Sequence, residues 1–166
     1  MFDRILVCLD GSDLAEQVLP YVTEQASRFH STVVLLEVVR PSSSFVTPVA
    51  PGAGPAAPVF TQEDANRVLR EEQEAESYLA RIAQRLGERG LGVEWVTRYG
   101  DPGTGVVTYA AEGNVDLIAL ATHGRGGLGR LVFGSVADHV LRQSGLPILL
   151  IRPREGSQPE QAPAQD

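Results

Sequence analysis

Ala121-Thr-His-Gly-Arg-Gly-Gly-Leu-Gly-Arg-Leu-Val-Phe-Gly-Ser135 follows the apolar run Val115 to Leu120 and precedes a segment of helical period. A strand that reaches a helix through a glycine-rich loop has the layout of a phosphate cradle. Glycine lets the backbone approach an anion closely, and the first amides of the following helix offer unpaired donors and a partial positive charge. The stretch therefore predicts an α/β fold and a phosphorylated small molecule as ligand.

Outward from this stretch, short apolar runs alternate with helical segments. Ile5 to Leu9, Thr32 to Val39, Val93 to Arg98, Val115 to Ala121 and Pro147 to Ile151 read as five strands. Several are apolar at successive positions, as expected of strands covered on both faces in a parallel sheet. The fold class predicted is a doubly wound α/β domain, one domain over residues 1–153.

Four helices fill the gaps. The first starts near Ser12 or Asp13, with Glu16 completing a capping box on Asp13, and runs to Phe29. The second spans Glu63 to Arg89, with Ala65, Val68, Ala75, Leu79, Ile82 and Leu86 along one stripe. The third runs from Pro102 to Glu112, and the fourth from Ser135 to just before Gly145. Residues 41–61 are rich in Pro, Ala, Gly and Ser and predict a flexible loop, either a tolerated insertion or a flap over the site. The polar tail 154–166 is expected to be disordered.

Composition removes several function classes. The 166-residue chain carries a formal charge of −7 and no basic run, which argues against a nucleic-acid partner held by phosphate neutralisation. Every one of its basic residues is arginine, so neither a P-loop lysine nor a Schiff-base lysine is available. A single cysteine, Cys8, provides no disulfide framework and no thiolate metal site, and reads as core. No run approaches the roughly 20 apolar residues of a membrane span, so a cytoplasmic protein is expected.

Gly124-Arg-Gly126-Gly-Leu-Gly129 also matches the G-x-G-x-x-G dinucleotide fingerprint. That motif belongs after the first strand with an acidic residue about 20 positions on, whereas here it follows the fourth strand and Ser144 to Ile151 holds no carboxylate. A different spacing fits better: Gly124, nine residues, then Gly134-Ser135 opening a helix. With Ile5-Leu-Val-Cys-Leu-Asp-Gly-Ser12 at one end and Pro147-Ile-Leu-Leu-Ile-Arg-Pro153 at the other, the chain resembles the universal stress protein family. That family's nucleotide motif is Gly, two residues, Gly, nine residues, Gly, then Ser, Thr or Asn. Gly124, Gly134 and Ser135 match it, and Ala121 stands where the first glycine belongs.

The resemblance implies an open Rossmann-like sheet ordered 3-2-1-4-5, binding of ATP, ADP or AMP with Mg²⁺, a stress-response regulatory role with a protein partner still to be identified, and a homodimer through the last strand, residues 148–151. It places Asp10 near the ribose or the metal and the backbone of Val38 at adenine. The residues themselves bear this reading. Asp10 closes an apolar strand at the carboxyl edge of the sheet, where it suits a sugar hydroxyl or Mg²⁺ or else caps the first helix. The amides of Gly134, Ser135 and Val136 face a phosphate, although Ser135 and Asp138 also spell a capping box. Arg125 flanks the glycines and is placed to neutralise phosphate charge. His123 has no visible orienting partner and reads as a contact residue rather than a base. Slow ATP hydrolysis, for which Asp10 and His123 are the candidates to position water, and a nucleotide-independent interaction module, for which Ala121 argues, are the alternative functions.

Overall fold

The computed structural model describes residues 2–40, 62–122 and 134–153. The expected loop 41–61, the tail 154–166 and the loop residues His123, Gly124 and Arg125 lie outside the described residues. Ten elements follow one another: β1 (Arg4–Leu9), α1 (Asp13–Glu16), α2 (Leu19–Phe29), β2 (Thr32–Val39), α3 (Gln62–Gly87), β3 (Val93–Tyr99), α4 (Pro102–Glu112), β4 (Leu117–Ala121), α5 (Ser135–Gln143) and β5 (Ile148–Ile151). The five strands form one sheet in the order β3-β2-β1-β4-β5, and every pairing is parallel.

The successive apolar residues of the inner strands are explained by two cores, one on each face. Ile5, Val7, Val33 and Leu35 point toward Val18 and Val22 of the α1–α2 segment and Leu79 and Ile82 of α3. Leu6, Val34, Ile118 and Leu120 point the other way, toward Val106 and Ala110 of α4 and Val140 of α5. Each such side chain taken fully out of water contributes about 1.5–3 kcal/mol. β3 lies at one edge, and its Trp95 and Tyr99 are exposed.

Four local expectations are corrected. The single helix expected up to Phe29 breaks in two, because Pro20 lacks the N–H that would bond the Glu16 carbonyl. The chain tightens there through Gln17 N to Leu14 O and Val18 N to Ala15 O, both 3.3 Å. The cap of α1 is Ser12, not Asp13, and Glu16 is engaged by Arg85 at 2.7 Å rather than closing a capping box. The fourth strand begins at Leu117, two residues later than expected, after the Asp116 carboxylate has accepted the Asp3 and Arg4 amides at 2.9 Å. In α3, burial is confined to Ala75, Tyr78, Leu79, Ile82 and Leu86, while Ala65 and Val68 are only partly covered.

Candidate functional site

The sheet reverses its winding between β1 and β4. β2 and β3 extend to one side of β1, and β4 and β5 to the other. Ligands of open α/β sheets bind in the crevice beyond the carboxyl ends of the strands at such a switch point. Cys8 pairs with Leu120, so Asp10 and Thr122, each two residues further on, leave the sheet side by side. Asp10 and the start of the quoted glycine stretch are thereby neighbours in space.

Asp10 is exposed, and its Oδ1 accepts hydrogen bonds from Ser12 N at 3.1 Å and Ser12 Oγ at 2.6 Å. Ser12 Oγ in turn accepts from Ala15 N at 3.1 Å. Asp10 therefore supports the cap of α1 through Ser12 rather than capping the helix itself. Gly11 completes the turn at φ +77°, a left-handed conformation that glycine adopts without strain.

Val38 sits where the β1 ladder has already ended. That ladder stops at Leu9 opposite Glu37, whereas the β3 ladder continues through Val38 and Val39, so the last two residues of β2 have no β1 partner. The Val38 side chain belongs to the α4–α5 face of the sheet. Ala121 ends β4 opposite Ile151, and the Thr122 amide donates to the Ile151 carbonyl at 2.9 Å.

The two helices on that face start differently. α4 is capped by Asp101, whose carboxylate accepts from Thr104 N and Thr104 Oγ1 at 2.9 Å and is held below its usual range by those bonds. α5 starts from Gly134, which offers no side chain, and among the described residues no side-chain hydrogen bond caps this helix. Ser135 occupies the first helical position, so the Ser135–Asp138 capping box expected from sequence is not formed. Asp138 instead takes Arg142 Nε at 2.9 Å, which lowers its carboxyl from the ordinary value. An α5 N-terminus that no described side chain caps is suited to an anion.

The structure thus brings Asp10, Val38, Ala121 and the Gly134–Val136 helix start to the carboxyl end of one sheet. It contains no group of three His, Cys, Asp or Glu able to hold a metal ion among the described residues, so Asp10 is the one predicted metal position to which a ligand-borne Mg²⁺ can be referred. Cys8 packs with the α4–α5 core and its thiol is pushed up to about 12 by burial, which makes it inert. Sequence reasoning missed Glu37. Glu37, beside Asp10, is raised to about 6, first by burial and then by the Asp10 charge. The lone carboxylate within Val33-Val-Leu-Leu-Glu-Val-Val39 was the available signal.

Comparison with known proteins matches the universal stress protein family over residues 1–152. Universal stress protein Sll1388 of Synechocystis is 27% identical over 151 residues, 91% of this chain and 98% of the relative. Universal stress protein MJ0577 of Methanocaldococcus jannaschii is 28% identical over 159 residues, 92% of this chain and 96% of the relative. The solved structure of MJ0577 aligns with a TM-score of 0.72 at 23% identity, covering 94% of this chain and 99% of that one. A universal stress protein family protein from Arabidopsis thaliana, solved with AMP bound, aligns with a TM-score of 0.61 at 15% identity over 92% of each chain. With the fold, the strand order and a family match that spans nearly its whole length, this chain belongs to the universal stress protein family.

Proposed function

We propose that this chain binds an adenine nucleotide, ATP with Mg²⁺ in the first place, at the carboxyl edge of the sheet and acts as a nucleotide-responsive regulator in the cytoplasm. The observation that carries the reading is the meeting of Asp10 with the end of β4 at the switch point, on a sheet whose α5 helix starts at Gly134 with no side-chain cap among the described residues. Asp10 suits the ribose or the metal, the backbone at Val38 suits adenine, and the amides of Ser135 and Val136 suit phosphate. His123, Gly124 and Arg125 complete the proposed contact set from the sequence motif. The AMP bound to the Arabidopsis relative supports the ligand class. When bound, the metal would neutralise phosphate charge; the chain's own groups bind and orient the ligand.

Association through β5 is part of the proposal. β5 is the edge strand on the side away from β3, its four residues are all partly exposed, and an apolar edge strand is a pairing surface.

The test is calorimetric titration of nucleotide-stripped protein with ATP, ADP and AMP, with and without Mg²⁺, repeated on Gly124→Val and Gly134→Val. Saturable binding in the native chain that both variants lose supports the proposal. Absence of heat and of any thermal shift would overturn it in favour of a nucleotide-independent interaction module, the reading that Ala121 favours. Phosphate release measured on the same samples separates a binder from a slow ATPase.

A further inference from the structure

The first turn of α4 stands between the two halves of the proposed nucleotide site. At Gly103 a Cβ would meet the His139 ring of α5, 2.9 Å from Cγ and 3.1 Å from Cδ2. Two residues on, Gly105 lies as tightly against the Val38 side chain of β2. Helix positions two apart point roughly 200° away from each other. The two glycines therefore let α4 touch, on one side, the helix proposed to meet phosphate and, on the other, the strand proposed to meet adenine. His139 is half-buried and lies one turn beyond Ser135, on the same face of α5 as the first helical residue. Close-packed contacts of this kind transmit strain, so a change at the Gly103–His139 contact is passed to the start of α5.

The same contact carries charge. Asp101, which caps α4 by accepting from Thr104 N and Thr104 Oγ1, faces His139 from α4, and Asp138 faces it from within α5. The cations beside these carboxylates are Arg40, just past β2 and close to Asp101, and Arg142, whose Nε bonds Asp138 at 2.9 Å. Histidine is the side chain whose charge ordinarily changes between pH 5 and 8. A proton on the ring strengthens the attraction to Asp101 across the Gly103 contact and draws α5 onto α4. It also puts a positive charge one turn from the amides suited to phosphate. Loss of the proton reverses both effects. We propose that His139 is a positioning residue that couples nucleotide affinity to pH, holding the α5 N-terminus against the first turn of α4 most firmly when the ring is protonated. The inference rests on the nucleotide reading above, whose site it regulates.

The experiment has two arms, each run on the full native chain and on two variants whose folding is checked by circular dichroism melts. His139→Gln keeps a polar side chain that takes up no proton in this range. Asp101→Asn removes the charge that faces His139 but keeps an oxygen to accept from Thr104. In the first arm, without nucleotide, nitrogen–proton correlation spectra follow the Ser135 and Val136 amides from about pH 5 to about pH 8. In the native chain these amides are expected to shift along the titration curve of the His139 ring, and in His139→Gln to lose that shift. In the second arm, calorimetry measures affinity for ATP with Mg²⁺ at both ends of the range. The native affinity is expected to fall with rising pH by about threefold more than that of His139→Gln, the scale of one partly screened charge, and Asp101→Asn to flatten the slope as well. Every other group that titrates in this range is present in both the native chain and His139→Gln, so the difference belongs to His139. Amides that ignore the His139 titration overturn the inference, as does a pH slope of affinity unchanged in both variants. If ATP binds none of the proteins while the amides follow His139, the nucleotide reading fails and takes the regulation with it, and the first arm tells that failure apart from a failure of His139.

Discussion

A methyl group placed on Gly105 of α4 would stand 2.9 Å from Cγ2 of Val38 on β2. The helix can lie this close to the strand only because Gly105 lacks a side chain, and the close approach holds the β2 residue proposed to meet adenine. Valine is stiff at χ1 and cannot swing its methyls aside cheaply.

Gly105→Ala is accordingly expected to lower stability. Alanine recovers up to about 1 kcal/mol of helix propensity, but overpacking against Val38 costs about 1–3 kcal/mol. Urea unfolding should show the net loss, and nucleotide titration a parallel weakening. Val38→Ala in the same chain should restore much of the stability lost, a coupling that a double-mutant cycle reads directly.

Asp10→Asn separates the ligand role from the structural one. The amide oxygen can still accept from Ser12, so the melting temperature should change little, whereas ATP affinity should fall about tenfold or more through loss of a charged group. Ser12→Ala should do the reverse, costing about 1 kcal/mol of cap stability with a smaller effect on affinity. Equal effects of the two changes on affinity would argue against a direct contact by Asp10.

Stability should fall as pH rises through the range set by Glu37. Its folded value of about 6 lies above the ordinary carboxylate value of 4.5, so the unfolded chain releases this proton more easily. The penalty is absent below pH 4.5 and fully present above about 6; after solvent screening it amounts to on the order of 1 kcal/mol. Glu37→Gln should remove this component of the pH profile in denaturant titrations and be the more stable protein at pH 7.

Leu149→Lys tests the proposed β5 association. Leu149 packs partly against the α2–α3 face of the core at the sheet edge, and a charge there opposes pairing of two apolar strands. Sedimentation should move from dimer to monomer while the circular dichroism spectrum is retained. A dimer unaffected by the change would place the interface elsewhere.

Periodicity and spacing determined by themselves much of this protein's architecture. Unbroken apolar runs such as Leu6-Val7 and Val33-Val-Leu-Leu36 require cover on both faces, which already implies a parallel sheet between helix layers, and local chemistry was enough to begin α4 at Pro102 and α5 at Ser135. The strand order came from likeness to a family rather than from periodicity, because a pattern within one strand does not say which strand lies beside it. The break before α2 is local as well, since Pro20 lacks the N–H that would bond the Glu16 carbonyl. What only the tertiary structure decided depends on groups far apart in the chain. Arg85 drew Glu16 away from a local capping role. The pairing of β1 with β4 set Asp10 beside a segment more than a hundred residues distant. Glu37 and Tyr78, 41 positions apart, came to line one cleft only when α3 packed across β2, since burial is a property of a folded surface rather than of a string of residues.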